Sequence, residues 1–373
     1  MKISVVILNY NVRYFLEQCI LSVQLGLKHI DGEIIVIDNN SEDDSCAMVK
    51  LLFPEITLIQ NKENVGFSKA NNQAVKVAKG EYLCILNPDT AIEESTFEKC
   101  LAYAETIDNM GALGVHLIDG TGNFLPESKR NIPTPKVSLF KLVGFDEKYY
   151  ASHISEKDKG SIDVLVGAFM FLKRTVYNEV GGFDEDYFMY GEDIDLSYKI
   201  LKAGYQNQYL GAVSTLHYKG ESTLKNRDYF DRFYGAMRIF YKKHFSQNLF
   251  LSFSVSAAVA FAKMIQMSKG TGKGVATIKI QKAYVFTEDI TLSRKLSEKM
   301  EIELSTASKS LFDDDALRNC LFIFDVGYIP YSQIFSIMAK FKNKNNQFRI
   351  CPPHSNFVIG SDKSDEKGSV VLF

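Results

Sequence analysis

The sequence predicts an α/β protein: a mostly parallel sheet with helices on both faces, followed by a basic helical connector and a small C-terminal α/β domain. Three observations lead there. The first ninety residues alternate apolar, β-branched runs with stretches of helical spacing, the pattern of parallel strands joined by crossover helices. The same alternation returns from Ala283 onward. Between the two, the residues lying after Asp231 and before Glu288 include nine Lys or Arg and no acidic residue, which leaves −11 for the rest of a chain whose net charge is −2.

Each element has its own reason. Ile3–Leu8 is apolar and β-branched, as a strand buried on both faces should be. Over Tyr14–Leu25, the residues Phe15, Cys19, Ile20 and Val23 share one helical face. Glu33–Ile37 reads as a strand ending at Asp38, and Ser41 or Asp43 can cap a helix running to about Leu52. Ile56–Gln60 is a third strand, Ser68–Lys79 a helix closed by Gly80, and Tyr82–Leu86 a fourth strand ending at Asn87-Pro88-Asp89. Gly111–Pro135 reads as short strands and turns, Ile162–Lys173 as strand, and Glu192–Ala203 as a helix stopped by Gly204. In the basic interval, Leu249–Ala262 is fourteen uncharged residues interrupted by Ser252, Ser254 and Ser256. That is short of the ~20 a spanning helix needs and suits a buried or interfacial helix. Beyond it come a strand at Ala283–Thr287, a helix near Leu292–Lys299, a strand at Leu321–Asp325, a helix near Tyr331–Lys342, and strands at Phe348–Ile350 and Phe357–Gly360. No glycine-rich phosphate loop follows any of these later strands.

Composition narrows the function. With 43 basic and 45 acidic residues the chain is not a strongly basic nucleic-acid binder. The six cysteines are scattered with no C-x-x-C pair, which points to reduced thiols in the cytoplasm rather than a zinc site or disulfide framework. The opening Met-Lys and short apolar run read as a buried strand and not as a secretory signal.

Polar residues cluster just after the early strands, at the edge where open parallel sheets bind ligands. Asp38, followed by Asn39, Asn40 and Ser41, can accept hydrogen bonds from a nucleotide base or ribose, or simply turn the chain. Asp89 at a strand end can hold Mg²⁺ or Mn²⁺, or belong to a Pro-Asp turn. Glu192, Asp193 and Asp195 open a helix, where the dipole favours acids. The preceding aromatic run Tyr187, Phe188, Tyr190 makes a desolvated general base the sharper reading. His217 precedes Lys219-Gly220-Glu221-Ser222-Thr223, a candidate phosphate-facing loop. Ser128 and Arg130 read as a solvated surface pair, with a phosphate contact as the alternative.

Six segments then coincide in order: Val5-Val6-Ile7-Leu8-Asn9-Tyr10-Asn11, Asp38-Asn39-Asn40-Ser41, Asn64-Val65-Gly66-Phe67-Ser68-Lys69-Ala70-Asn71-Asn72, Leu86-Asn87-Pro88-Asp89-Thr90, Gly181-Gly182-Phe183-Asp184-Glu185, and Tyr190 through Leu196. Together, over about Met1–Thr223, they resemble family 2 glycosyltransferases, closest to the rhamnosyltransferase-like branch that builds bacterial surface polysaccharides. The resemblance implies a GT-A fold, a nucleotide-sugar donor, a divalent cation (Mn²⁺ or Mg²⁺) and transfer with inversion. It places Asn9 and Asp38 at the base and ribose, with Tyr10, Asn64, Gly66, Asn71 and Asn87 also lining the donor pocket. Asp89 would bind the metal, with His217 as a further metal or diphosphate ligand. Asp193, paired with Glu192, would be the general base. The metal motif is often Asp-x-Asp, and here Asn87 takes the first position, leaving fewer fixed charges for the cation.

The expected organisation is a catalytic domain over 1–225, a basic helical connector over 226–282 that can anchor on an anionic membrane surface, and an α/β domain over 283–373. The expected activity is that of an inverting hexosyltransferase acting on a glycan or lipid-linked glycan acceptor. It would work in the cytoplasm, peripherally on the inner face of the plasma membrane. A nucleotidyltransferase would carry a glycine-rich basic loop after the first strand, where Asn9-Tyr10-Asn11-Val12-Arg13 stands instead. A non-catalytic nucleotide-sugar or glycan-binding scaffold of an assembly complex is the other alternative, disfavoured by the presence of both Asp89 and Asp193.

Overall fold

The computed structural model describes residues 1–142, 144–220, 227–245, 280–300, 302–363 and 366–373. The predicted stretch 249–262 and the hydroxyl-bearing residues 222–223 lie outside the described residues.

The N-terminal half begins as the hydrophobic pattern dictates. Strands β1 (Ile3–Asn9), β2 (Gly32–Asp38), β3 (Thr57–Gln60) and β4 (Tyr82–Leu86) are parallel, connected by helices α1 (Arg13–Gly26), α2 (Ser45–Leu52) and α3 (Phe67–Val77). Then come β5 (Thr90–Ile92), α4 (Thr96–Ala104), β6 (Met110–Ile118), α5 (Pro135–Leu142), β7 (Lys159–Ser161), β8 (Phe169–Lys173), α6 (Arg174–Glu179), α7 (Glu192–Lys202) and β9 (Gln206–His217). The sheet order is β3-β2-β1-β4-β8-β6-β9-β5, with β7 paired to β9. β6 runs parallel to β9, while β8 enters antiparallel between β4 and β6. The sheet is therefore mostly parallel. One apolar layer packs around Phe97, Phe169, Phe171 and α1, the other around Phe183, Leu196, Tyr209 and α3.

Several sequence expectations are corrected here. Gly111–Pro135 opens not with several short strands but with a single one, β6, a nine-residue strand buried throughout; turns and a short helical turn at Pro126–Ser128 follow it. The two glycines within β6, Gly111 and Gly114, mark close approach rather than turns. A Cβ on Gly111 would lie 2.3 Å from Ile200 Cγ2. Conversely, Ile162–Lys173 is a strand only from Phe169. The first part pairs irregularly, with Ile162 N–H on the Asn207 carbonyl and Val164 bridging Arg130. Ser41 does not cap α2; it bonds to Asp38, and Asp43 accepts the Ser45 N–H (3.1 Å) instead.

Helix α8 (Arg227–Phe245) lies in the basic interval, yet it is packed. Tyr187, Ala236, Phe240 and Tyr241 form a buried cluster with Ile132, Ile194 and Tyr198 alongside. Its Lys243 is not free surface charge: it meets Asp184 (2.5 Å) and Asp195 (2.9 Å). Arg232, Arg238 and Lys242 remain exposed.

The second sheet has the order β11-β10-β12-β13-β14-β15, with β10 (Lys282–Phe286), β11 (Leu304–Thr306), β12 (Cys320–Asp325) and β13 (Gln347–Cys351) parallel, and β14 (Phe357–Gly360) and β15 (Ser369–Leu372) antiparallel. Its helices are α9 (Ile290–Met300) and α10 (Tyr331–Phe341). Asp325, the acid at the end of β12, is taken up by its own turn, accepting from Thr287 Oγ1 (2.6 Å) and Gly327 N–H (2.9 Å). This sheet is docked on the first. Val12, Phe15, Ala91, Ile118, Leu216 and Tyr218 share one buried cluster with Tyr331, Ile334, Phe335 and Met338.

Candidate active site

The carboxyl edge of the first sheet assembles three polar groups. The first joins β1 and β2. Asn9, wholly buried, donates from Nδ2 to Asp38 Oδ1 (2.7 Å) and to Ser41 Oγ (3.0 Å). Asp38 also accepts the Ser41 hydroxyl (2.6 Å) and N–H (2.9 Å). The parallel register sets Asn9 opposite Asp38, so two residues ending neighbouring strands necessarily meet. Tyr10, half-buried, follows on the turn out of β1.

The second group is the loop before α3. Gly66 holds φ +86°, a left-handed conformation that favours glycine, and a Cβ there would lie 2.6 Å from the Phe188 carbonyl oxygen. Asn64 Oδ1 accepts the Gly66 N–H (3.0 Å) and Asn39 Nδ2 (3.2 Å), which ties this loop to the end of β2. Asn39 was not singled out in sequence, although it stands beside Asp38. Asn71 faces inward from α3 and donates to the Phe67 carbonyl (3.0 Å); its buried Oδ1 has no hydrogen-bond partner among the described residues.

The third group links β4, β5 and β9. His217 sits opposite Thr90 in the antiparallel β5–β9 register. Its Nε2 lies 3.4 Å from Asp89 Oδ1 and 3.4 Å from Asn87 Nδ2. Asp89 and His217 are both buried, and His217 Nδ1 has no partner among the described residues. Lys219, read as phosphate-facing, instead pairs with Glu127 (2.5 Å). Burial opposes ionisation of Glu127, but the neighbouring ammonium outweighs it and holds the carboxyl below its usual range.

A divalent cation suits this donor set. Carboxylate oxygens suit Mg²⁺ and Mn²⁺, both of which leave positions for phosphate oxygens, and an imidazole beside them favours the transition metal Mn²⁺. The described residues contain no group of three or more His, Cys, Asp or Glu placed to enclose an ion. Asp89 and His217 are the two of these side chains that could hold such an ion, with its further ligands coming from a bound molecule.

Across from this group, α7 begins at Glu192, with Gly191 as its N-cap. Asp193 Oδ2 accepts from Arg130 Nη2 (2.7 Å) and from Gly167 N–H (3.1 Å). Arg130 also donates to the Leu165 carbonyl. The surface reading of Ser128 and Arg130 is therefore wrong: they are 1% and 7% exposed. Ser128 Oγ is spent on backbone, accepting Leu117 N–H (3.2 Å) and donating to the Leu125 carbonyl (2.6 Å). Burial disfavours the Arg130 guanidinium charge, yet the Asp193 carboxylate outweighs that and raises its pKa. Glu192 has the opposite fate. Burial, then repulsion from Asp193, pushes its carboxyl up to about 8, and its Oε2 has no partner among the described residues. Asp195, on the next turn face, is structural: it is wholly buried and receives Lys243 (2.9 Å) and His244 (2.7 Å) from α8.

The family model for glycosyl transferase family 2 matches residues 4–181. Among relatives, an N-acetylglucosaminyl-diphospho-decaprenol L-rhamnosyltransferase of Mycobacterium tuberculosis is 25% identical over 239 residues, 59% of this chain and 77% of that protein. A poly-beta-1,6-N-acetyl-D-glucosamine synthase of Staphylococcus aureus is 26% identical over 204 residues, 54% of this chain and 46% of the synthase. Among solved structures, the mannosyltransferase PcManGT of Pyrobaculum calidifontis, in complex with GDP-Man and Mn²⁺, aligns over 73% of this chain and 76% of its own, at 18% identity and TM-score 0.48. S. aureus TarS residues 1–349 align over 74% of this chain and 76% of that one, at 16% identity and TM-score 0.46. Over residues 4–181 the chain therefore carries a family 2 glycosyltransferase domain.

Proposed function

We propose that this chain moves a sugar from a nucleoside-diphosphate sugar to a hydroxyl of a lipid-linked glycan acceptor, with inversion, in the synthesis of cell-surface polysaccharide. The observation that carries the reading is the pairing of two unlike acidic centres on one sheet edge. Asp89 stands beside an imidazole at the strand ends, and Asp193 has one oxygen fixed by Arg130 and Gly167. The names of the M. tuberculosis and S. aureus relatives, a rhamnosyltransferase and a polysaccharide synthase, support the class of acceptor.

In this reading Asn9, Tyr10, Asp38, Asn64, Gly66, Asn71 and Asn87 line the base, ribose and diphosphate side. Asp89 and His217 hold a divalent cation, which when bound offsets the charge growing on the leaving diphosphate. Asp193 takes the proton from the acceptor hydroxyl as that oxygen attacks the anomeric carbon. Glu192 beside it holds its proton more tightly than a free carboxyl, through burial and the Asp193 charge, which limits the negative charge facing the incoming hydroxyl. Proton removal without an enzyme nucleophile makes a single displacement, hence inversion.

The exposed Arg232, Arg238 and Lys242 of α8 support a peripheral position on the anionic inner face of the plasma membrane, each basic group near such a surface adding about 1 kcal/mol. Among the described residues no helix is long and apolar enough to cross a membrane.

The test is hydrolysis and transfer with a panel of nucleotide sugars, with and without Mn²⁺. One donor should be turned over only with the cation, and Asp89→Ala should abolish that turnover. Full activity after exhaustive chelation would remove the cation from the reading, and inertness toward every donor would remove the reading itself.

A further inference from the structure

Residues 187–193 run from the donor loop to the start of α7, and an aromatic wall stands along them. At the donor end the Phe188 carbonyl accepts the Phe67 N–H (2.6 Å), and its ring lies over Gly66. At the other end Tyr190, with φ +71°, precedes the Gly191 cap of α7 and thus the Glu192–Asp193 pair. Helix α8 contributes two more rings one turn apart, Tyr229 and Phe233, whose planes are 7° from parallel at 6.1 Å. Tyr190 meets both edge-on, at 5.1 and 6.1 Å. Arg232 places its guanidinium over the Phe188 ring at 4.6 Å. Phe188 and Phe233 are each 38% exposed, in a chain whose other phenylalanines beside the site, Phe67 and Phe183, pack against one another.

We propose that Phe188, Tyr190, Tyr229 and Phe233 form the acceptor subsite, holding a pyranose ring of the acceptor glycan beside the start of α7. The inference rests on Asp193 being the base. The acceptor hydroxyl must then reach α7 from the side not filled by the donor, and this wall is continuous with that position. A pyranose presents a face of C–H groups that packs on aromatic planes, and hydroxyls around its rim that need polar neighbours. The wall supplies both, the rings of Tyr190, Tyr229 and Phe233 and, over Phe188, the Arg232 guanidinium. A polyprenyl chain would call for aliphatic side chains, and these four side chains are all aromatic.

The chain contains no tryptophan, so Phe233→Trp places the sole indole on this wall. Methyl pyranosides, including the N-acetylglucosaminide, should shift its emission saturably, whereas octyl phosphate should not. Phe233→Leu and Tyr229→Leu should each raise the KM for a soluble glycan acceptor about tenfold, the order expected for one lost ring contact, and leave nucleoside-diphosphate affinity within twofold. Emission that answers the alkyl chain but no pyranoside would overturn the proposal in favour of a lipid site. So would leucine variants with unchanged acceptor KM. The emission titration needs no turnover, so a failure of the Asp193 assignment, seen as full transfer by Asp193→Asn, is read separately from a failure of the wall.

Discussion

Glu192 and Asp193 are adjacent in sequence and opposite in surroundings. Asp193 has a buried cation at 2.7 Å, whereas for Glu192 burial and the like charge outweigh the weaker pull of Arg130 and of a backbone hydrogen bond. For Glu192 the folded-state pKa, about 8, lies above its ordinary 4.5, so the native state binds the extra proton. Stability from this group is full below pH 4.5 and is lost as pH rises toward 8. Glu192→Gln should therefore unfold at a urea midpoint that falls less than that of the parent between pH 5 and 8. A parallel fall in both proteins would show that Glu192 is ionised when folded. Asp193→Asn should lower transfer by roughly 10²–10⁴-fold, the usual share of a general base. It should also destabilise, because it strands Arg130. Breaking one side of a buried pair costs about 3–5 kcal/mol, and replacing both sides by apolar groups is often neutral. Arg130→Met and Asp193→Leu should each lower the thermal midpoint, and the double variant should regain most of the loss; additive losses would show that the two are not coupled. Asn9, Asp38 and Asp89 were legible because a polar residue just after an apolar strand falls at a known edge; that Asn9 meets Asp38, and His217 meets Asp89, follows from the strand registers. Arg130 was not. A basic residue in a Lys-Arg-Asn stretch looks solvated, and only the counter-charge 63 residues later makes its burial tolerable.

At the scale of elements, the strands and helices with strong periodicity were read to within a few residues. The misses share a cause. β6 carries glycines that serve close packing and look like turns, and the residues before β8 are apolar because they are buried, not because they extend. α8 drew attention by charge, while its buried face of Ala236, Phe240 and Tyr241 decides where it sits. Its anchor is Asp195, with Lys243 at 2.9 and 3.0 Å, His244 at 2.7 Å and Lys199 at 3.7 Å. Asp195→Ala would leave these groups facing an apolar seam and should cost about 3–5 kcal/mol. Because α8 lies against Gly191 and Ile132, the same change should weaken transfer more than nucleoside-diphosphate binding. Calorimetry and a kcat-to-KM comparison measure the two effects, and an unchanged thermal midpoint would show that α8 is held by its apolar face alone.

At the scale of the molecule, both sheets were foreseeable and their docking was not, for Phe15, Ala91, Ile118 and Leu216 each look like ordinary core of their own sheet. Two details fix the joint. Glu94, just past β5, offers its two carboxylate oxygens to the N–H groups of Tyr331 (2.6 Å) and Ser332 (3.2 Å), so the first sheet caps a helix of the second. An acid at a helix N-terminus is favoured by the dipole as well as by the hydrogen bonds. At the other side of α10, Gly122 holds φ +83°, and a Cβ there would lie 2.3 Å from the Met338 carbonyl oxygen. A side chain at 122 meets rigid helix backbone, which cannot yield as a flexible side chain would. Gly122→Val should therefore pry α10 from β5 and β9 and expose Tyr331, Phe335 and Met338. The parent should melt in a single calorimetric transition, because its two sheets share one buried cluster. The valine variant should melt in two, with Glu94→Ala an intermediate case losing about 1–2 kcal/mol. Two transitions in the parent would mean that the shared cluster does not couple the sheets, and the C-terminal sheet would then be a separable passenger on the transferase domain.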